Sequence, residues 1–140
     1  MSTNLLAGIT STMSVGQKDQ FQQKAIAHNQ RHEYNEAIDA ADNGLLIRGI
    51  GPITQAKLLY EKAIALNQKR EYGPALQAIN KGLQIKDISD SNLLAGLLYE
   101  KTIALNQTGK YDKVLKAINK GLQIKDVSDS NLRARFFILQ

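Results

Sequence analysis

An all-α solenoid of three helical hairpins and a C-terminal helix is the fold predicted by two observations. The first is a near-verbatim repeat. LLYEKAIALNQKREYGPALQAINKGLQIKDISDSN over residues 58–92 returns as LLYEKTIALNQTGKYDKVLKAINKGLQIKDVSDSN over 97–131, identical at 26 of 35 positions. Units of this length cannot bury their apolar faces alone, and they stack to do so. The second is helical periodicity inside each unit. Ala56, Leu59, Ala63 and Leu66 form one stripe, and Tyr72, Ala75, Leu76, Ile79, Gly82 and Leu83 form another, with Lys69-Arg70-Glu71 as the turn between them. So short a turn makes each helix pair antiparallel.

Residues 1–13 form a flexible or short helical segment, in which Asn4-Leu5-Leu6-Ala7-Gly8-Ile9 echoes Asn92-Leu93-Leu94-Ala95-Gly96-Leu97 as either a relic or a coincidence. The STMS run at 11–14 supplies hydroxyls suited to capping the first helix. The repeat domain spans 14–140, with units at about 14–50, 51–89 and 90–128 and a terminal helix at 129–140. The first unit is the divergent copy: Lys24, Ala25, Ile26, Asn29, Gln30, Tyr34, Ala37 and Gly44 match Lys62, Ala63, Ile64, Asn67, Gln68, Tyr72, Ala75 and Gly82.

Pro52 opens the first helix of unit two, where its missing N–H is of no consequence. Gly82 sits inside a helix at a propensity cost of about 1 kcal/mol. Its recurrence as Gly44 and Gly121 points to close packing, with early helix termination as the alternative. Unit three repeats the pattern with Gly109 in its turn. In the terminal helix Leu132, Phe136 and Leu139 continue the core stripe, and Arg133 and Arg135 replace Leu94 and Gly96 as a polar cap requires. Phe137 and Ile138 stay apolar, which fits either a longer array or a homo-oligomeric contact through this helix.

The composition, 43% apolar and 22% charged, is that of a globular chain and not a disordered one. No apolar run approaches a membrane span and no secretion signal is evident, so the expected setting is cytoplasmic, without a membrane partner. The absence of cysteine excludes disulfides, thiolate metal sites and cysteine nucleophiles. The net charge of +5 is C-terminal, since residues 1–50 carry four basic and five acidic side chains and residues 51–140 carry fourteen and eight. Lys113, Lys116 and Lys120 follow helical spacing and offer a basic stripe to nucleic acid or an acidic partner. Without aromatic interleaving, a solvated face explains them equally, which argues against nucleic acid.

The units resemble the tetratricopeptide repeat family on Leu59, Lys62, Ala63, Leu66, Ala75 and Ile79, with Glu71-Tyr72-Gly73-Pro74-Ala75-Leu76 as the inter-helix turn. Lys24, Lys62 and Lys101 replace the usual leucine, and Asp87 and Asp126 replace the usual proline. Tyr-Glu-Lys-(Ala/Thr)-Ile-Ala-Leu, then Gly-Leu-Gln-Ile and Asp-Ser-Asn-Leu, at a period above the family's 34 residues, is similar to the sensor repeats of bacterial Rap, Rgg and PlcR peptide receptors. That group often carries an N-terminal DNA-binding domain, for which the residues before the first helix are too few, so such a role would need a partner or a longer parent chain. Asn80-Lys81-Gly82-Leu83 faintly resembles adaptors of trafficking complexes, but the long period argues against them.

These resemblances imply a non-enzymatic module that binds a protein or peptide in a groove lined by the first helix of each hairpin. The stripe beside the core reads Lys57, Tyr60, Ile64, Asn67, Gln68 in unit two, Gly96, Tyr99, Ile103, Asn106, Gln107 in unit three, and Asp19, Gln22, Ile26, Asn29, Gln30 in unit one. A carboxamide both donates and accepts, so Asn29, Asn67 and Asn106, with Gln68 and Gln107, are candidate readers of an extended backbone. Related peptide receptors use asparagines in this way. Ile26, Ile64, Ile103, Tyr60 and Tyr99 are candidate pockets for the partner's side chains. Against this, asparagines near a helix end also cap or solvate a turn. The competing functional reading is a structural module whose apolar faces pack against copies of itself.

Lys57 invites a carboxylate clamp, but Asp19 and Gly96 at the equivalent places do not repeat it, and Lys24, Lys62 and Lys101 read as stems lying across packed helices. His28, His32 and Glu36 have a spacing that can hold a metal, yet His28 aligns with core Leu66 and Leu105 and no third ligand is tied to a motif, so no metal or other cofactor is expected. Asp87, Asp90, Asp126 and Asp129 in the inter-unit loops read as helix caps. No phosphate loop or nucleophile motif suggests an enzyme.

Overall fold

The computed structural model describes residues 15–124 and Arg135. The predicted N-terminal segment with its STMS cap, and the terminal helix apart from Arg135, lie outside the described residues. The described chain is all-α: α1 (Val15–Gln30), α2 (Tyr34–Leu45), α3 (Pro52–Gln68), α4 (Tyr72–Gln84), α5 (Ser91–Gln107) and α6 (Tyr111–Gln123). These are three antiparallel hairpins stacked in chain order. Each first helix packs on its own second helix, and each second helix packs on the next first helix. The first helices also touch one another directly, α1 on α3 and α3 on α5, so they form the closely spaced inner layer of the stack.

The turns inside the hairpins are one structure made three times. Glu33 N–H bonds His28 O at 2.8 Å, and Glu71 to Leu66 and Lys110 to Leu105 do the same at 2.9 Å. Behind them His32 bonds Asn29 O, Arg70 bonds Asn67 O, and Gly109 bonds Asn106 O. This is the Schellman closure, which turns the chain through a left-handed residue. That residue is His32 at φ 62°, Arg70 at φ 63° and Gly109 at φ 74°, so only unit three places glycine where the backbone favours it. The loops between units turn at Gly49 (φ 73°) and Asp87 (φ 62°). Asp87 is therefore a turn residue and not the cap that its loop position suggested. Asp90 is a cap, its Oδ1 accepting from Leu93 N–H at 3.0 Å.

The predicted stripes are buried: Ala56, Leu59, Ala63 and Leu66 on α3, and Ala75, Ile79 and Gly82 on α4, with Tyr72, Leu76 and Leu83 half-buried. The first helices bury a second face as well, through Leu58 and Ala65 on α3 and Leu97 and Ala104 on α5. This face meets the preceding hairpin at its glycines. A Cβ on Gly44 would lie 2.8 Å from Leu58 Cδ1 and 3.0 Å from Phe21 Cβ, and one on Gly82 would lie 3.2 Å from both Leu97 methyls. Gly44 and Gly82 are thus sockets for the next unit's leucine, and close packing explains their recurrence. Leu83 ties the hairpins together, packing against Leu59 and Ile79, against Leu93 and Leu97, and against Ala95 and Leu98.

Candidate functional site

The inner layer carries a repeating polar joint between consecutive first helices. Asn29 Nδ2 donates to the Glu61 backbone carbonyl and to Glu61 Oε1, both at 3.0 Å. Asn67 Nδ2 donates to Glu100 O and Glu100 Oε1, again both at 3.0 Å. Asn67 is only 5% exposed and Glu100 8%. Burial pushes both carboxyls above the usual carboxylate range. The asparagine hydrogen bond opposes that shift at each, and at Glu100 the nearby Arg135 charge opposes it further while Glu61 adds to it.

These joints correct the expectation that the three asparagines form one open row facing a ligand. The Asn29 and Asn67 donors are committed to the next unit, and Asn67 is inaccessible. Asn106, Gln68 and Gln107 are exposed, while Ile26, Ile64, Ile103, Tyr60 and Tyr99 are half-buried. Unit three breaks the series in the sequence itself, because the position one repeat beyond Glu100 is Leu139, which has no carboxylate to offer Asn106.

Beside each joint lies a second repeated contact, which the sequence did not disclose. Gly96 of α5 seats the Tyr60 ring of α3, and a Cβ there would stand 2.8 Å from Tyr60 Cε1 and Cζ. One repeat later the same pair of positions is Tyr99 and Arg135, whose guanidinium stands 5.4 Å from the ring centroid. Gly96 therefore lets the Tyr60 ring lie directly against the α5 backbone, where in the next pair Arg135 stands over the Tyr99 ring.

The Tyr60 ring also borders a hollow of about 270 Å³ reaching across all three first helices, lined by Gln22 of α1, Lys57, Tyr60 and Glu61 of α3, and Asn92 and Leu93 of α5 with the capping Asp90. Of the named candidates only Tyr60 reaches it. Lys57 and Gln22, from the same predicted stripe, join it, whereas Glu61, Asp90, Asn92 and Leu93 were not anticipated. The recurrence of a glutamate at Glu61 and Glu100, one unit after each asparagine, was the available signal for the joint.

The two histidines are engaged locally. His28 Nδ1 is 3.1 Å from Glu33 Oε1, and His32 Nδ1 is 2.7 Å from Tyr34 Oη. Among the described residues no group of three His, Cys, Asp or Glu side chains is placed to hold a metal, and no helix is long and apolar enough to cross a membrane. No protein-family model, curated protein or solved structure matches the chain.

Proposed function

We propose that this chain is a non-enzymatic peptide-binding repeat module, and that an extended segment of a protein or peptide binds across α1, α3 and α5. The observation that carries the reading is the single hollow lined by all three first helices. Helix axes packed at 8–10 Å place α1 and α5 roughly 18 Å apart, the reach of about five extended residues. The carboxamides that border the hollow are Gln22 and Asn92, which take over the backbone-reading role first assigned to the asparagines of the joint. The Tyr60 ring supplies an apolar wall, and Lys57 opposes Glu61 and Asp90 in charge. This keeps the tetratricopeptide-like reading, including a sensor or adaptor role, while moving its contact residues.

Selection from a display library of random peptides tests it. Selected peptides should lose at least about tenfold in affinity on Lys57→Glu or Tyr60→Ala, with the melting temperature retained. Equal binding by both variants would remove the hollow from the account. Self-association is the second reading, favoured by Tyr111 and Leu115, 65% and 59% exposed and one turn apart on α6, where their counterparts Tyr72 and Leu76 are half-buried. Light scattering of Leu115→Glu against the parent chain tests that.

A further inference from the structure

On the outer side of unit three, away from the proposed groove, Leu98, Lys101, Lys113, Lys116, Ala117 and Lys120 line a hollow of about 220 Å³ between α5 and α6. Unit two has the same hollow at the equivalent positions, about 140 Å³, and the comparison shows what has changed. There Pro74 stands for Lys113 and Gln77 for Lys116. Lys62, the counterpart of Lys101, is neutralised by Asp42 of the preceding hairpin, Nζ to Oδ1 at 2.7 Å. The position one repeat beyond Asp42 is Asn80, which carries no charge. The hollow of unit three has therefore gained two lysines and lost the equivalent acid. Among the described residues none of its four lysines is in an ion pair.

We propose that Lys101, Lys113, Lys116 and Lys120 form a binding site for a compact polyanion carrying two or more phosphate groups. Four ammonium groups around one small hollow repel each other, and charge density decides what relieves them. A carboxylate brings one negative charge, whereas each phosphate brings about −1.5 to −2 with three acceptor oxygens, so two balance the site. Lysines suit this role as point charges with rotatable donors. Among the described residues the lining has no carboxamide to read an extended peptide backbone and no aromatic ring to stack a base, which separates the site from the peptide groove and from single-stranded nucleic acid. Burial, and after it the charges of Lys120 and Lys113, push the Lys101 ammonium below its ordinary range.

Titration calorimetry with inorganic tripolyphosphate at low salt tests the site. One ion should bind per chain with Kd on the order of 0.1 mM. Lys113→Gln/Lys116→Gln, at two exposed positions, should weaken it about tenfold or more while the helical circular dichroism is kept. The reciprocal variant Asp42→Asn/Pro74→Lys/Gln77→Lys should raise the stoichiometry from one to two. Absence of saturable binding, or equal binding by the double glutamine variant, overturns the proposal. Tighter Lys116-dependent binding of a single-stranded oligonucleotide than of tripolyphosphate also overturns it, in favour of a nucleic-acid strand.

Discussion

Asn67→Asp replaces one atom group at the joint between α3 and α5 and should be among the costliest isosteric changes in the chain. The Asn67 Nδ2 stands 3.0 Å from both Glu100 Oε1 and Glu100 O, so the variant places a carboxylate oxygen against a second carboxylate and a carbonyl. Two unit charges at that separation repel by about 5 kcal/mol at an effective dielectric of about 20. The alternative is to hold a proton on the Glu100 carboxyl, already pushed up by burial, which costs at most about 3.5 kcal/mol at pH 7 and about 1 kcal/mol at pH 5 from an ordinary glutamate value. The cheaper route wins. Urea unfolding should therefore show a loss of up to about 3.5 kcal/mol at pH 7 that shrinks to less than half at pH 5. A variant within 1 kcal/mol of the parent at pH 7, or a gap that does not narrow on acidification, would refute the joint.

Two companion variants calibrate this result. Asn67→Ala removes both donor bonds, worth together about 2.5–4 kcal/mol, but also removes Asn67 Oδ1, which is buried without a hydrogen-bond partner, so a net loss of about 1–2 kcal/mol is expected. Glu100→Gln keeps an acceptor for Asn67 and discards a buried charge. Burial holds the folded-state pKa of Glu100 above its ordinary value of about 4.5. In the window between those two values the folded state binds more protons than the unfolded one, so the glutamate's contribution is fully present below pH 4.5 and is lost as pH rises through the folded value. Glu100→Gln should therefore be neutral or stabilising at pH 7 and should flatten the stability profile just above pH 4.5. A larger fall in stability with pH than in the parent chain would contradict the shift.

Gly44→Ala should destabilise by up to about 2 kcal/mol in urea, because the overpacking against Leu58 and Phe21 outweighs a propensity gain of about 1 kcal/mol. Gly73→Ala has open space around it apart from its neighbour Pro74, whose ring disfavours a Cβ there and offsets the propensity gain, so it should be near neutral, and a larger loss than that of Gly44→Ala would refute the socket. Arg70→Gly, which repeats what Gly109 already does in unit three, should raise stability by about 0.5–1 kcal/mol by relieving the left-handed backbone. Asp90→Ala should lower it by about 1 kcal/mol through loss of the bond to Leu93 N–H, measured as a shift of about 3 °C in melting temperature.

The elements of the fold were readable in the sequence because each rests on a local signal. Pro52 starts α3, the apolar stripes mark the hairpin interface, and Gly82 inside a helix declares a close approach. What was hidden depends on neighbours in the stack. Leu58 and Ala65 look surplus on a helical wheel that allows one buried face, yet a first helix is packed between two hairpins and buries two. The asparagines illustrate the same limit. Their polarity and register suggested an open groove, and the partner that claims Asn67 lies 33 residues away on another helix. His32 and Arg70 were hidden for a different reason: the Schellman closure imposes a left-handed residue whatever the side chain, so composition does not mark it.

The divergence between units two and three says more about function than their identity does, because identity follows from duplication alone. Of the nine differences between residues 58–92 and 97–131, seven fall between 108 and 116, in the turn and the first half of α6. Within these spans the leucine, tyrosine, glutamate, asparagine and glycine positions that join units are untouched: Leu58 and Leu97, Tyr60 and Tyr99, Glu61 and Glu100, Asn67 and Asn106, and Gly82 and Gly121 each match. Stacking geometry constrains those sites on both sides of every joint, so a change there must be answered in the next unit. The turn and first half of a hairpin's second helix lie outside the joints between first helices and the glycine sockets. They are the part of a stacked array that can acquire new chemistry at no cost to those contacts, and they are where Lys113 and Lys116 appear. A chain carrying the unit-two residues at those two positions should keep its fold and its inner hollow and lose only the basic one.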